Sequence, residues 1–278
     1  MKNKVATAIF STIYCASLGV SSAFAGDLTI IPAISVAEVY IDDVNLNSNF
    51  AQSDFVTETT VGGLVTNVGP RLNLDVNYGL THLYYPELQG DKDEFRHNLK
   101  ASGNSELVRD YLFIDMNAGI NQRFVDPRAT FSRLNVTRSA NRTTVGIYDV
   151  SPYFVKKLGG NFSTLTTRYR VSHVNTSGNT PLNTVSLTDT WSTNHEISAI
   201  INSGTKFSRL SWDITNSYRK RVSSNRRDNK MYNSIIGGGY SLNRKISAVG
   251  SVGYTKRNAQ SGTSNFSGIV WNAGVILT

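Results

Sequence analysis

The stretch RLNLDVNYGLTHLYY, Arg71 to Tyr85, decides the fold. Leu72, Leu74, Val76, Tyr78, Leu80 and Tyr84 share one parity, and Asn73, Asp75, Asn77, Gly79 and Thr81 share the other. Successive side chains of a strand point to opposite faces, so this is a strand with one apolar and one polar face. It is also long, since a strand in a soluble domain usually runs ~5–6 residues.

The pattern spreads outward in both directions. Leu112, Ile114, Met116, Ala118, Ile120 and Phe124 alternate with Asp115, Asn117, Gly119, Asn121 and Arg123. Leu165, Tyr169 and Val171 alternate with Thr166, Arg168 and Arg170, and Leu210, Trp212, Ile214 and Tyr218 with Arg209, Asp213 and Arg219. Ile269, Trp271, Ala273, Val275 and Leu277 form a last apolar parity. Weaker versions lie near 30–41, 54–66, 94–107, 143–156, 184–201, 229–242 and 245–257. Counted together they predict about twelve strands, an even number, as single-chain bacterial outer-membrane barrels have.

The connections alternate in length. Short turns are predicted at 67–70, 108–110, 158–160, 202–204 and 243–244, and longer polar loops near 42–53, 86–93, 125–142, 174–183, 220–228 and 258–264. Short turns on one side and long loops on the other are the rhythm of a transmembrane barrel. A β-sandwich would place a strand every 8–12 residues, whereas each strand with its connection takes roughly 20 here. A solenoid would show a repeated motif, which is absent. The expected fold is therefore all-β: a transmembrane antiparallel β-barrel of about twelve strands, with short periplasmic turns and longer extracellular loops.

Composition agrees. Of 278 residues, 17% are charged and 40% hydrophobic, with Tyr 13, Phe 12 and Gly 22. Disordered chains are richer in charge and poorer in aromatics, and helical membrane proteins need repeated apolar runs of roughly 20 residues. Residues 1–25 read as a secretory signal. Lys2 and Lys4 precede the apolar Val5–Val20, and Ala23-Phe24-Ala25 is a cleavage site. The barrel then occupies 26–278. Cys15, the single cysteine, leaves with the signal, so no disulfide is expected. Asn272-x-Gly274 before apolar residues partly fits a barrel-assembly signal, without the terminal aromatic.

Residues 34–46 (ISVAEVYIDDVNL), 53–58 (SDFVTE) and 71–85 carry a further likeness, continued more weakly by Ser151-Pro-Tyr-Phe154. This opening resembles the outer-membrane β-barrel proteins associated with the PEP-CTERM/exosortase system. The resemblance implies a barrel in the outer membrane of a Gram-negative cell and a connection to surface exopolysaccharide. It implies no catalytic residues.

Catalytic and metal chemistry is not expected. The four histidines, His82, His97, His173 and His195, lack metal-ligand spacing, and no glycine-rich phosphate loop opens a helix. His173 beside Ser172 and Ser177 is the nearest thing to a lipid-modifying outer-membrane enzyme, but no third group orients the imidazole. His195 falls on an apolar parity beside Trp191 and Ile197, an awkward place for imidazole that puts that register in question. Gly237-Gly238-Gly239 suggests a bulge or bend. No cofactor is expected, and export argues against nucleic acid as the partner of this basic chain.

Charge is the remaining signal: Lys+Arg 28 against Asp+Glu 20. Basic residues expected to face the lumen are Arg96, Lys100, Arg123, Arg168, Arg170, Arg209 and Arg219, with Asp75, Glu106, Asp115, Asp149 and Asp213 among them. Two readings stand. One is a basic path that favours anions, and the other is a salt-bridged interior. Arg221, Arg226, Arg227 and Lys230 are expected on outer loops, where they suit lipopolysaccharide or an acidic polysaccharide. The functional expectation is a porin-like or accessory barrel for surface-polysaccharide export, working with outer-membrane lipids and export machinery. The alternative is a non-conducting barrel that binds polysaccharide through its loops.

Overall fold

The computed structural model describes residues 26–46, 51–124, 136–138, 142–178, 189–224, 228–259 and 265–277. The expected signal, residues 1–25, lies outside them. Twelve strands follow one another: β1 (Asp27–Ile41), β2 (Asp54–Val68), β3 (Leu72–Tyr84), β4 (Asp93–Val108), β5 (Leu112–Phe124), β6 (Arg142–Leu158), β7 (Ser163–Gly178), β8 (Thr190–Ser203), β9 (Leu210–Ser223), β10 (Asn229–Ser241), β11 (Ile246–Ala259) and β12 (Phe266–Leu277). They form one antiparallel sheet in which each strand lies beside its neighbours in sequence. No described helix is long and apolar enough to cross a membrane.

The alternation sets the register. β1 pairs with β2 from Asp27↔Val68 to Ile41↔Asp54, and β2 with β3 from Thr57↔Tyr84 to Val68↔Asn73. A slip by one residue would exchange the two faces, so patterned strands hold their register. The apolar parity is the exposed one: Ile34, Val61, Tyr78, Tyr169, Ile197, Ile236, Val252 and Trp271 all face outward from the sheet. Water-soluble proteins rarely expose so continuous an apolar surface.

The short turns come out at 69–71, 109–111, 159–162, 204–209 and 242–245, and the other connections at 42–53, 85–92, 125–141, 179–189, 224–228 and 260–265. Gly159 (φ 56°) and Gly160 (φ 69°) make the third short turn, since consecutive positive φ values suit residues without a Cβ. The rhythm fades after β8. β9 continues to Ser223, so Lys220 and Arg221 belong to a strand and not to the expected loop. β10 likewise contains Lys230. Continued cross-strand pairing outweighs local polarity here, because Arg221 still pairs with both Asn194 and Asn229.

Gly237-Gly238-Gly239 makes no bulge, since all three pair one-to-one with β9 and β11. The reason is room: a Cβ on Gly237 would lie 2.5 Å from Oδ1 of Asp213.

The chain divides into two compact units. The first holds β1–β3 with the adjoining parts of β4–β7, and the second holds the remainder of β4–β7 with β8–β12.

Candidate functional site

In the second unit the polar faces of β5, β6 and β7 carry a packed charge cluster. Arg168 on β7 donates from Nη1 to Asp115 Oδ2 on β5 (2.7 Å) and to Ser151 Oγ on β6 (2.8 Å). Its guanidinium lies 4.1 Å from the Tyr153 ring centre, and Tyr153 stacks on Phe113 at 5.2 Å. Two residues further on, Arg170 Nε donates to Asp149 Oδ2 at 2.6 Å, and Asp149 is buried. On β9, Arg219 donates from Nε and Nη2 to the same Glu196 oxygen, at 3.0 and 2.8 Å. Charge-assisted bonds of this kind hold both partners in one geometry and leave little free charge for a passing ion.

The first unit has a different device. At its long-connection end, Val39, Ile41, Val56, Leu83 and Tyr85 are apolar residues on the otherwise polar parity. They are buried with Val44, Leu88 and Val136 from the connections. Backbone bonds stitch these connections together: Val44 N–H to Gln52 O (2.9 Å), Tyr85 N–H to Lys92 O (2.8 Å) and Arg138 N–H to Val44 O (2.8 Å). The Tyr85 hydroxyl donates to Val136 O at 2.8 Å. Burial, then the neighbouring Glu94 carboxylate, pushes the Tyr85 hydroxyl well above its usual pKa.

Arg96 completes this cap. It is 4% exposed, and it donates to Glu94 Oε1 (2.7 Å) and to Thr137 O (3.1 Å). Arg138 lies 3.8 Å from the other Glu94 oxygen, and Arg142 donates to Thr137 O. Asp54, also buried, accepts from Glu87 N–H at 3.2 Å. A single carboxylate, Glu94, therefore stands among three arginines, Arg96, Arg138 and Arg142.

The remaining expected residues separate. Arg123 bonds Asn121 on its own strand, at 3.2 Å. Lys100 lies on β4 with no side-chain partner among the described residues. Arg209 was expected to face the lumen, but it lies in the turn before β9, which starts at Leu210. The two described members of the expected loop set, Arg221 and Lys230, stand on opposite faces of the sheet. Arg221 is on the polar parity, bonded to Ser192 Oγ (3.0 Å), while Lys230 is on the apolar parity opposite Lys220. Arg226 and Arg227 lie outside the described residues.

The histidines share one arrangement that the sequence reading missed. All four sit on the apolar parity beside an aromatic ring. Tyr78 Oη meets His97 Nδ1 and Tyr169 Oη meets His195 Nδ1, each at 2.9 Å. His82 stacks on Phe95 at 4.7 Å and bonds Asp93 at 2.6 Å, and His173 stacks on Trp191 and bonds Thr193 Oγ1 at 2.8 Å. His195 thus keeps the register that was in question, because a tyrosine hydroxyl satisfies its ring. No local spacing signals it, because each bonded tyrosine and histidine sit on neighbouring strands, 19 and 26 residues apart. Among the described residues no His, Cys, Asp and Glu group is arranged to hold a metal. The chain matches no protein-family model and no curated protein.

Proposed function

We propose that this chain is an outer-membrane β-barrel serving surface-polysaccharide export, with a narrow, charge-paired interior. The sheet supports the membrane part of the reading: twelve consecutive antiparallel strands with their apolar parity exposed. Lipid offers backbone groups no hydrogen bonds, so such a sheet is stable in a bilayer only when closed on itself. The polysaccharide part rests on the likeness carried by residues 34–85.

One observation carries the choice of interior. Arg96, Arg168, Arg170 and Arg219 each hold a carboxylate: Glu94, Asp115, Asp149 and Glu196. A ring of unpaired arginines would favour anions, whereas paired ones fill space and cancel charge. The test is single-channel recording of the refolded chain under a salt gradient. We expect small conductance without strong anion preference. Asp115→Asn with Asp149→Asn should free Arg168 and Arg170 and raise the preference for anions. A wide, anion-selective pore in the unmodified chain would sink this reading.

A further inference from the structure

The outward parity of β8–β11 changes character toward the ends that lead into the 224–228 and 260–265 connections. Register places His195, Lys220 and Lys230 in one rung across β8, β9 and β10. One rung further along the strands stand Ile197, Tyr218, Tyr232 and Lys256. The third rung is Ala199, Asn216, Ser234 and Tyr254.

Three features of this face call for a ligand. Lys220 and Lys230 are directly opposite, where Cβ atoms come within about 5 Å and like charges destabilise the pair. Lys256 is diagonal to Lys230, and among the described residues none of the three lysines has a carboxylate partner. Glu196, next to His195 in the chain, is on the other parity and engaged by Arg219. The tautomer in which Tyr169 O–H donates to His195 Nδ1 leaves Nε2–H as one more donor on this rung. Directly beneath the cations, small Ala199, Asn216 and Ser234 leave a hollow of about 420 Å³, walled by Ile197, Tyr218, Tyr232 and Tyr254. Tyr218 and Tyr232 pack with ring centres 4.6 Å apart.

We infer that this face binds a phosphorylated glycolipid of the outer leaflet, with its phosphate on Lys220, Lys230 and Lys256 and an acyl chain in the tyrosine-walled hollow. The inference rests on the outer-membrane reading above, which turns this parity toward lipid. Charge complementarity selects the headgroup. Lysines at an interface extend their ammonium groups to headgroup level while their stems cover apolar surface, and each is worth roughly a fivefold gain in affinity for anionic lipid. A free phosphate ion would satisfy the lysines but leave the apolar hollow unfilled.

The test is binding of lipopolysaccharide, and of its dephosphorylated form, to the refolded full chain in detergent micelles. Heat-shifted gel mobility first confirms a folded barrel, and a chain that never shows the shift defeats the outer-membrane reading itself. With the barrel folded, we expect phosphate-dependent binding. Lys220→Ser with Lys230→Ser should weaken it about 25-fold, while Lys220→Arg with Lys230→Arg should retain it. Ser234→Phe should weaken binding by filling the hollow with every cation in place. Equal binding of the dephosphorylated form, insensitivity to the serine variant, or full displacement by millimolar inorganic phosphate would each overturn the inference.

Discussion

The β1–β4 region and the β8–β11 region carry the same binary pattern and use it differently. In the first, apolar residues at the strand ends invade the polar parity, and three connections fold onto them around Tyr85. In the second, no described residue is a buried apolar one, glycines open space on the polar parity, and the distinctive chemistry lies on the outward face. A sheet with two usable faces can therefore place a small water-excluding core on one and a ligand surface on the other.

The contrast can be broken by substitution. The largest effects belong to the first region. Tyr85→Ala removes a ring at the centre of the cap and should cost about 3–5 kcal/mol in denaturant unfolding. Tyr254→Ala on the outward face should cost under ~1 kcal/mol in detergent. Equal losses would show that the cap holds nothing together. Gly62→Ala should also be severe, because its Cβ would lie 2.1 Å from Tyr78 O and force β2 and β3 apart. Gly237→Ala in β10 meets only the movable carboxylate of Asp213 and should cost ~1 kcal/mol or less. Heat-shift midpoints compare the two.

An intermediate effect is expected at the ion pairs. A double-mutant cycle on Arg168 and Asp115, both about one-third exposed, should give a coupling of about 1 kcal/mol. A value near zero would leave the cluster a contact without energetic content. The smallest effect is the dependence on pH. The Tyr85 hydroxyl is held protonated in the folded chain, so its contribution is complete below pH ~10 and declines as pH rises toward the higher folded value. Tyr85→Phe should remove that alkaline loss of cap stability, read as protease cleavage within 85–92. An unchanged alkaline profile would mean other groups control it.

Much of this was legible in the chain. The strand from Arg71 to Tyr85 emerged as Leu72–Tyr84, and β5 emerged with the expected bounds Leu112–Phe124. The mixture of basic and acidic residues on one parity was visible, and so was the choice between a basic path and a paired interior. Which carboxylate serves which arginine was not. Asp115 and Arg168 are 53 residues apart, on strands that are not neighbours in the sheet order. The cap was hidden for a related reason. Val39, Ile41, Val56 and Leu83 break the alternation of their strands, and they become a core only with Val44, Leu88 and Val136 brought to them by the connections. The motif SDFVTE, read as a mark of likeness, turns out to build this end. Asp54 caps Glu87 N–H, Phe55 packs on Tyr40 at 4.9 Å, Val56 enters the core, and Thr57 bonds Glu38 at 2.9 Å.

By itself the sequence determined the secondary structure, the two faces and the sheet order expected of consecutive hairpins, because alternation has a period of two and acts within one strand. Tertiary structure decided which residues stand side by side: Arg168 with Asp115, Tyr85 with Val136, Lys220 with Lys230. Those meetings depend on cross-strand register and on how connections fold back. Both are set by contacts between segments far apart in the chain, which no local pattern encodes.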